Sequence, residues 1–108
     1  MAQEYIAVKQ KNELGLIAIS KSVFQTIAAI EVEDEENVVL ADATPFKSPL
    51  TCKIAEDRLY LSVDIKVMYN ANVNEVCARL QNKIYDSIKH MSEYAPDVID
   101  VKVTGFLF

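Results

Sequence analysis

The stretch Leu59-Tyr60-Leu61-Ser62-Val63-Asp64-Ile65-Lys66-Val67-Met68-Tyr69 decides the fold. In an extended chain successive side chains point to opposite faces, so Leu59, Leu61, Val63, Ile65, Val67 and Tyr69 share one face. Tyr60, Ser62, Asp64, Lys66 and Met68 share the other. A run apolar on one face and mixed on the other predicts a long, half-buried antiparallel strand whose apolar face needs a covering layer. Upstream, Thr51 to Ala55 reads as a strand joined to it through Glu56-Asp57-Arg58. Before that, Ala41 to Pro49 is a loop punctuated by Pro45 and Pro49, and Val38-Val39-Leu40 is a short strand.

Downstream, Asn72 and Glu75 have the spacing of a capping box and open a long helix. Val73, Val76, Cys77, Leu80, Ile84, Ile88 and Met91 form its apolar stripe, with Glu75, Arg79, Asn82, Asp86 and Lys89 opposite. The helix is predicted to end near Tyr94, because Pro96 disfavours helix at Ala95. Ile99, Val101 and Val103 then alternate with Asp100, Lys102 and Thr104 in a last strand, and Gly105-Phe106-Leu107-Phe108 follows.

Towards the N-terminus, Ser20 and Ser22 offer capping oxygens, Ser22 and Gln25 having box spacing, and Val23, Phe24, Ile27 and Ile30 fall at helical intervals. A first helix of about four turns follows. The run from Glu31 to Asn37 sets five carboxylates where the helix dipole is negative, with Asn37 a candidate left-handed cap. Tyr5 to Gln10 and Leu14 to Ile19, separated by Lys11-Asn12-Glu13, form either a hairpin or a loose tail over residues 1–12. The order strand, helix, two or three strands, long helix, strand predicts an α+β two-layer sandwich. One antiparallel or mixed sheet of four to six strands carries both helices on one face, in a single domain spanning residues 1–108.

The 108 residues suit one core, which can bury roughly 60–70% of the unfolded surface without disulfide or metal. Sixteen acidic against eleven basic residues give a net charge of −5, unfavourable for nucleic acid or for direct docking on an anionic membrane. No run approaches the roughly 20 apolar residues of a spanning helix. Met1-Ala2-Gln3-Glu4-Tyr5 lacks the basic-then-apolar order of a signal peptide, so a cytoplasmic, reduced location is expected.

Val63-Asp64-Ile65-Lys66-Val67-Met68-Tyr69, then Asn72 and Glu75-Val76, and finally Val101-Lys102-Val103-Thr104-Gly105 are together similar to the alkaline shock protein family, also called the Gls-type envelope stress response family. Leu14-Gly15-Leu16-Ile17-Ala18-Ile19 with Val23-Phe24 and Ile27-Ala28 resembles that family's Ile-x-Ile strand and alanine-rich first helix. The likeness runs from about Glu13 to Phe106. Family members have Glu-Gly-Val after the first helix; the acidic run stands here, with Asn37 in place of the glycine. The resemblance implies a cytoplasmic stress-response or cell-envelope homeostasis factor, held near a membrane only by a membrane-anchored protein partner. Some members are tied instead to fatty-acid precursor synthesis.

The candidate chemistry is thin. Cys52 and Cys77 suit neither a CxxC pair nor a disulfide framework, and each reads as core. His90, beside Lys89 at the dipole-negative end of a helix, reads as structural. The Glu31–Glu36 run lacks calcium-loop spacing and reads as a solvated helix end or a patch facing a basic partner. The only arginines, Arg58 and Arg79, follow no glycine-bearing loop of the kind acylphosphatase-type chemistry requires. No catalytic residue, cofactor or metal is therefore assigned. The sheet face turned away from the helices is expected to expose Tyr60 and Met68, with Leu16 and Ala18 alongside and Phe106 at its rim. Together with Phe108 these form a candidate surface for self-association, as a dimer or higher oligomer, and for protein partners. The alternative is a small-molecule-binding regulatory module using Tyr69, Asn70 and Asn72.

Overall fold

A computed structural model describes residues 3–8 and 14–108. The expected strand residues Lys9 and Gln10, and the Lys11-Asn12-Glu13 turn, lie outside the described residues. The elements are β1 (Tyr5–Ala7), β2 (Ala18–Ser20), α1 (Lys21–Asp34), β3 (Val38–Leu40), β4 (Leu50–Ala55), β5 (Arg58–Met68), α2 (Val73–Ser92) and β6 (Val98–Leu107). The fold is α+β, as expected: two helices, a mixed four-stranded sheet and a two-stranded sheet formed by β1 and β2.

β5 is the spine. β4 pairs antiparallel with its first half (Leu50 opposite Val63, Ala55 opposite Arg58), and β3 with its second half (Val38 opposite Val67). These two strands lie end to end along one edge of β5. β6 pairs parallel along the other edge, with α2 as the crossover that a parallel pair needs. Just before β1, Gln3 forms an isolated antiparallel bridge to Ile54 of β4. The β4–β5 turn holds Glu56 and Asp57 at φ of 53° and 59°, the positive-φ signature of a type I′ hairpin.

The alternation of β5 builds the core. Leu59, Leu61, Val63, Ile65 and Val67 are buried beneath Phe24, Ile27, Ala28 and Val32 of α1 and Val76, Leu80, Ile84 and Ile88 of α2. α1 rests on β3 and β4, α2 on β6, and the helices pack on one another. Asn72 caps α2 as its spacing predicts, Oδ1 accepting from the Glu75 amide at 3.1 Å.

Three expectations are corrected. Of the two candidate capping serines Ser20 takes the N-cap, so Ser22 lies inside the helix and forms no capping box with Gln25. Asn37 is not left-handed; α1 ends in an extended Glu35. Ile30 and Met91, assigned to the apolar stripes, are exposed. α2 buries the strict i, i+4 row 76, 80, 84, 88, 92, so Ser92 takes the inward place. Its hydroxyl donates to the Ile88 carbonyl at 2.6 Å, and left-handed Glu93 closes the helix.

Candidate docking surface

The five residues read from the sequence as one surface fall in three places. Tyr60 and Met68 lie on the sheet face away from the helices, as expected. Eight residues separate them along β5, about 26 Å at 3.3 Å per residue, so they share no patch. Between them stand Ser62, Asp64 and Lys66. The 41–49 loop folds against this region: Asp64 donates its amide to Pro49 and accepts from Ala41, and its Oδ2 lies 3.2 Å from Lys47 Nζ. Lys66 Nζ reaches Asp42 at 3.0 Å. This face is polar and partly covered by the chain itself. Leu16 is exposed just before β2, outside the four-stranded sheet, and Ile17 is exposed beside it.

Phe106 and Phe108 are on the opposite side from the one expected. Val103 pairs with Ile65, but Gly105 rather than Thr104 pairs with Lys66: a β-bulge inserts one residue and reverses which face each later side chain takes. Gly105 accordingly lies beneath the aliphatic stem of Lys66, 3.7 Å from where its Cβ would sit. Phe106 and Phe108 thus turn to the helix-bearing face, past the end of the helical layer. Tyr69 joins them there, its amide donating to the Leu107 carbonyl at 2.7 Å. Its ring stacks on Phe108 at a centroid distance of 5.5 Å and meets Phe106 edge-on at 6.4 Å. The three rings are 55%, 98% and 50% exposed for Tyr69, Phe108 and Phe106. On the other face of the same end, Val39 and Met68 are also exposed. Apolar surface is therefore concentrated at one end of the sheet, where the bulge and the end of the helices leave it.

The remaining side chains divide between support and cleft. Burial pushes the Cys52 thiol up to about 11 and raises that of Cys77, which keeps both as packed thiols at neutral pH. Burial and a hydrogen bond to Asp97 raise the Tyr94 hydroxyl to about 12, and that hydroxyl also donates to the Asp57 carbonyl at the hairpin turn. Of the acidic run, Glu33, Asp34 and Glu36 are solvated at the helix end as read, but Glu35 and Glu31 face α2. Glu35 is buried, with Arg79 Nε 2.8 Å from Oε1 and Lys83 Nζ 2.7 Å from Oε2, and Glu31 accepts from Ser87 Oγ at 2.6 Å. The basic partner that the run suggested is α2 itself. A signal was present: Arg79 and Lys83 stand i, i+4 on one side of α2.

A cleft of about 320 Å³ lies between α1 and β3, lined by Val32, Glu33, Val38, Val39 and Leu40. A second, of about 200 Å³, lies between the helices, lined by Ile27, Ile30, Glu31, Ser87, His90 and Met91. Neither contains Tyr69, Asn70 or Asn72, the residues on which the alternative small-molecule site would rest. Among the described residues no group of three or more His, Cys, Asp or Glu is arranged to hold a metal ion, and no helix is long and apolar enough to cross a membrane. Comparison with protein-family models, with curated proteins and with solved structures gives no match to this chain.

Proposed function

We propose that this chain is a non-catalytic protein that acts by self-association and by docking to protein partners. The observation that carries the reading is the ring cluster of Tyr69, Phe106 and Phe108, packed on itself and exposed at the end of a rigid sheet. Aromatic side chains supply large contact area at small conformational cost, which is why they concentrate at interface centres. The larger cleft is lined by Val32, Val38, Val39 and Leu40 with Glu33 as its one polar side chain, and so has few convergent polar groups to orient a small substrate. The resemblance to the alkaline shock protein family supports placing this docking role in cytoplasmic stress response or cell-envelope homeostasis. There a membrane-anchored protein would be one of the partners.

The test is sedimentation velocity over a range of concentrations for the wild type and for a Phe106→Ser, Phe108→Ser double variant. The variant is expected to keep the wild-type far-UV circular dichroism and to shift the sedimentation profile towards smaller species. An unchanged sedimentation profile removes the aromatic end from the reading.

A further inference from the structure

We infer that the outer edge of β6 pairs antiparallel with the same edge of a second copy of this chain, about a two-fold axis at Val101. This rests on the self-association reading above and adds to it a second contact, separate from the aromatic end, with its register.

β6 is ten residues long and, among the described strands, pairs only with β5. An unpaired edge of that length is a row of donors and acceptors open to another strand. Which groups point outward follows from β5. The even residues of β5 spend their backbone groups on the opposite edge: Asp64 donates to Pro49 and accepts from Ala41, and Met68 donates to Asn37. The odd residues of β5 therefore face β6, and in a parallel ladder each bonds the residues flanking its partner. Leu61, Val63 and Ile65 are opposite Ile99, Val101 and Val103, so the even residues of β6 turn inward to β5. Ile99, Val101 and Val103 then hold their N–H and C=O groups at the open edge. The Ile99 carbonyl fits this assignment, since it accepts from the side chain of Gln81 on α2 at 2.9 Å.

The side chains of the same three residues lie on the helix side yet are only half buried, because α2 does not cover them to the edge. On the reverse face Asp100 and Lys102 are exposed. This pattern is self-complementary in one register. With Val101 opposite Val101, Ile99 faces Val103 and Asp100 faces Lys102, each twice by symmetry. The outward backbone groups at 99, 101 and 103 meet as hydrogen-bonded pairs, and the half-buried aliphatic side chains form one seam across the axis. Moving the axis one residue either way sets Asp100 against Asp100 or Lys102 against Lys102, which like-charge repulsion disfavours. Moving it two residues towards the C-terminus runs into the bulge at Thr104. Charge complementarity thus selects a second copy as the occupant and one register for it. The pairing displaces Gln81 from Ile99 and leaves the rings of Phe106 and Phe108 beyond the ends of the seam.

Sedimentation equilibrium tests this with charge variants. The wild type is expected to reach twice the 12.1 kDa chain mass. Asp100→Lys sets lysines opposite one another twice and should raise the dimer dissociation constant about tenfold or more. Lys102→Glu should do the same, and an equimolar mixture of the two should recover the wild-type constant, since every 100–102 contact between unlike chains is then of opposite sign. Lys102 also stands across from Asp64 within the chain, so its variant is used only if its circular dichroism matches the wild type. Val101→Pro is the second probe: it removes the donor on the axis without taking a hydrogen bond from β5, and should leave a folded monomer. The inference is overturned if the wild type stays at monomer mass, or if Asp100→Lys or folded Val101→Pro dimerises as the wild type does. The same holds for a mixture no tighter than its components. All of these chains keep their aromatic end, so loss of the edge pairing leaves the Phe106 and Phe108 experiment to judge the docking reading by itself.

Discussion

The two helices reach one layer by different routes. α2 carries its instructions in its own sequence. Asn72 caps its first turn, where Glu75 is favourable to the dipole; Lys89 and His90 occupy its last turn; and its apolar row is continuous. α1 has none of these aids. Its N-cap Ser20 makes no capping bond, its first turn holds no acid, its last turn holds no base, and carboxylates crowd its negative end. At 14 residues it is near the length at which an isolated helix is marginal in water. What holds α1 is other parts of the molecule: Phe24, Ile27, Ala28 and Val32 under the sheet and α2, and the Glu35 clamp to Arg79 and Lys83. Local signals make α2; tertiary contact makes α1.

The contrast breaks most visibly at Phe24, which is fully buried. Phe24→Ala is expected to cost about 3–5 kcal/mol in urea unfolding, from lost burial and the cavity left behind. Because α1 has little propensity of its own to fall back on, its amides should lose protection from hydrogen exchange while those in the centre of α2 keep theirs.

The Glu35 clamp comes next. The Lys83 ammonium, and then the Arg79 guanidinium, hold its carboxyl below the ordinary value of 4.5 against the opposing effect of burial. A carboxyl whose folded pKa lies below its unfolded one adds stability above the unfolded value, and that stability is lost as pH falls through the folded value. Glu35→Gln should therefore cost about 1.5 kcal/mol at pH 7, at the low end for bonds to charged groups because Arg79 and Lys83 remain half in water. Unfolding curves measured from pH 7 down to pH 3 should show the gap between variant and wild type closing below about pH 4.5. A constant gap would mean that the loss is one of shape rather than charge.

The same division explains what could be read in advance. β5, the capped start of α2 and the helix-bearing face follow from period-two and period-3.6 patterns, which are local. The position of Phe106 does not, because the bulge at Thr104 leaves the sequence alternation of β6 intact while reversing its faces. Gly105 is the one hint: a residue without a side chain lies under the stem of Lys66, where the ladder shifts. The left-handed pair Glu56 and Asp57 is similarly silent, since a type I′ turn usually announces itself with Asn-Gly. The composition of the acidic run allows a solvated helix end or a patch facing a basic partner; Glu33, Asp34 and Glu36 take the first course and Glu35, between two cations on the neighbouring helix, the second. Long-range pairing decided each of these, and a single sequence read locally does not encode it.

The smallest effect is also the cleanest comparison of the helices, because it alters one hydroxyl or amide at each N-cap. Asn72 Oδ1 satisfies a helical amide that would otherwise lack a protein partner, so Asn72→Ala should cost about 1 kcal/mol. Ser20 stands at the equivalent place in α1, but its hydroxyl pairs with Ser22 Oγ at 2.8 Å instead of with a backbone amide. Ser20→Ala should then change stability by less than about 0.5 kcal/mol, the range of an ordinary surface substitution. Parallel urea titrations of the two variants decide the matter. Equal losses would show that Ser20 caps α1 in solution, and would move α1 towards the self-specified class that α2 occupies. A loss confined to Asn72 keeps the start of α1 dependent on the chain leading into β1, where the Glu4 carbonyl already accepts from the Lys21 amide at 3.0 Å.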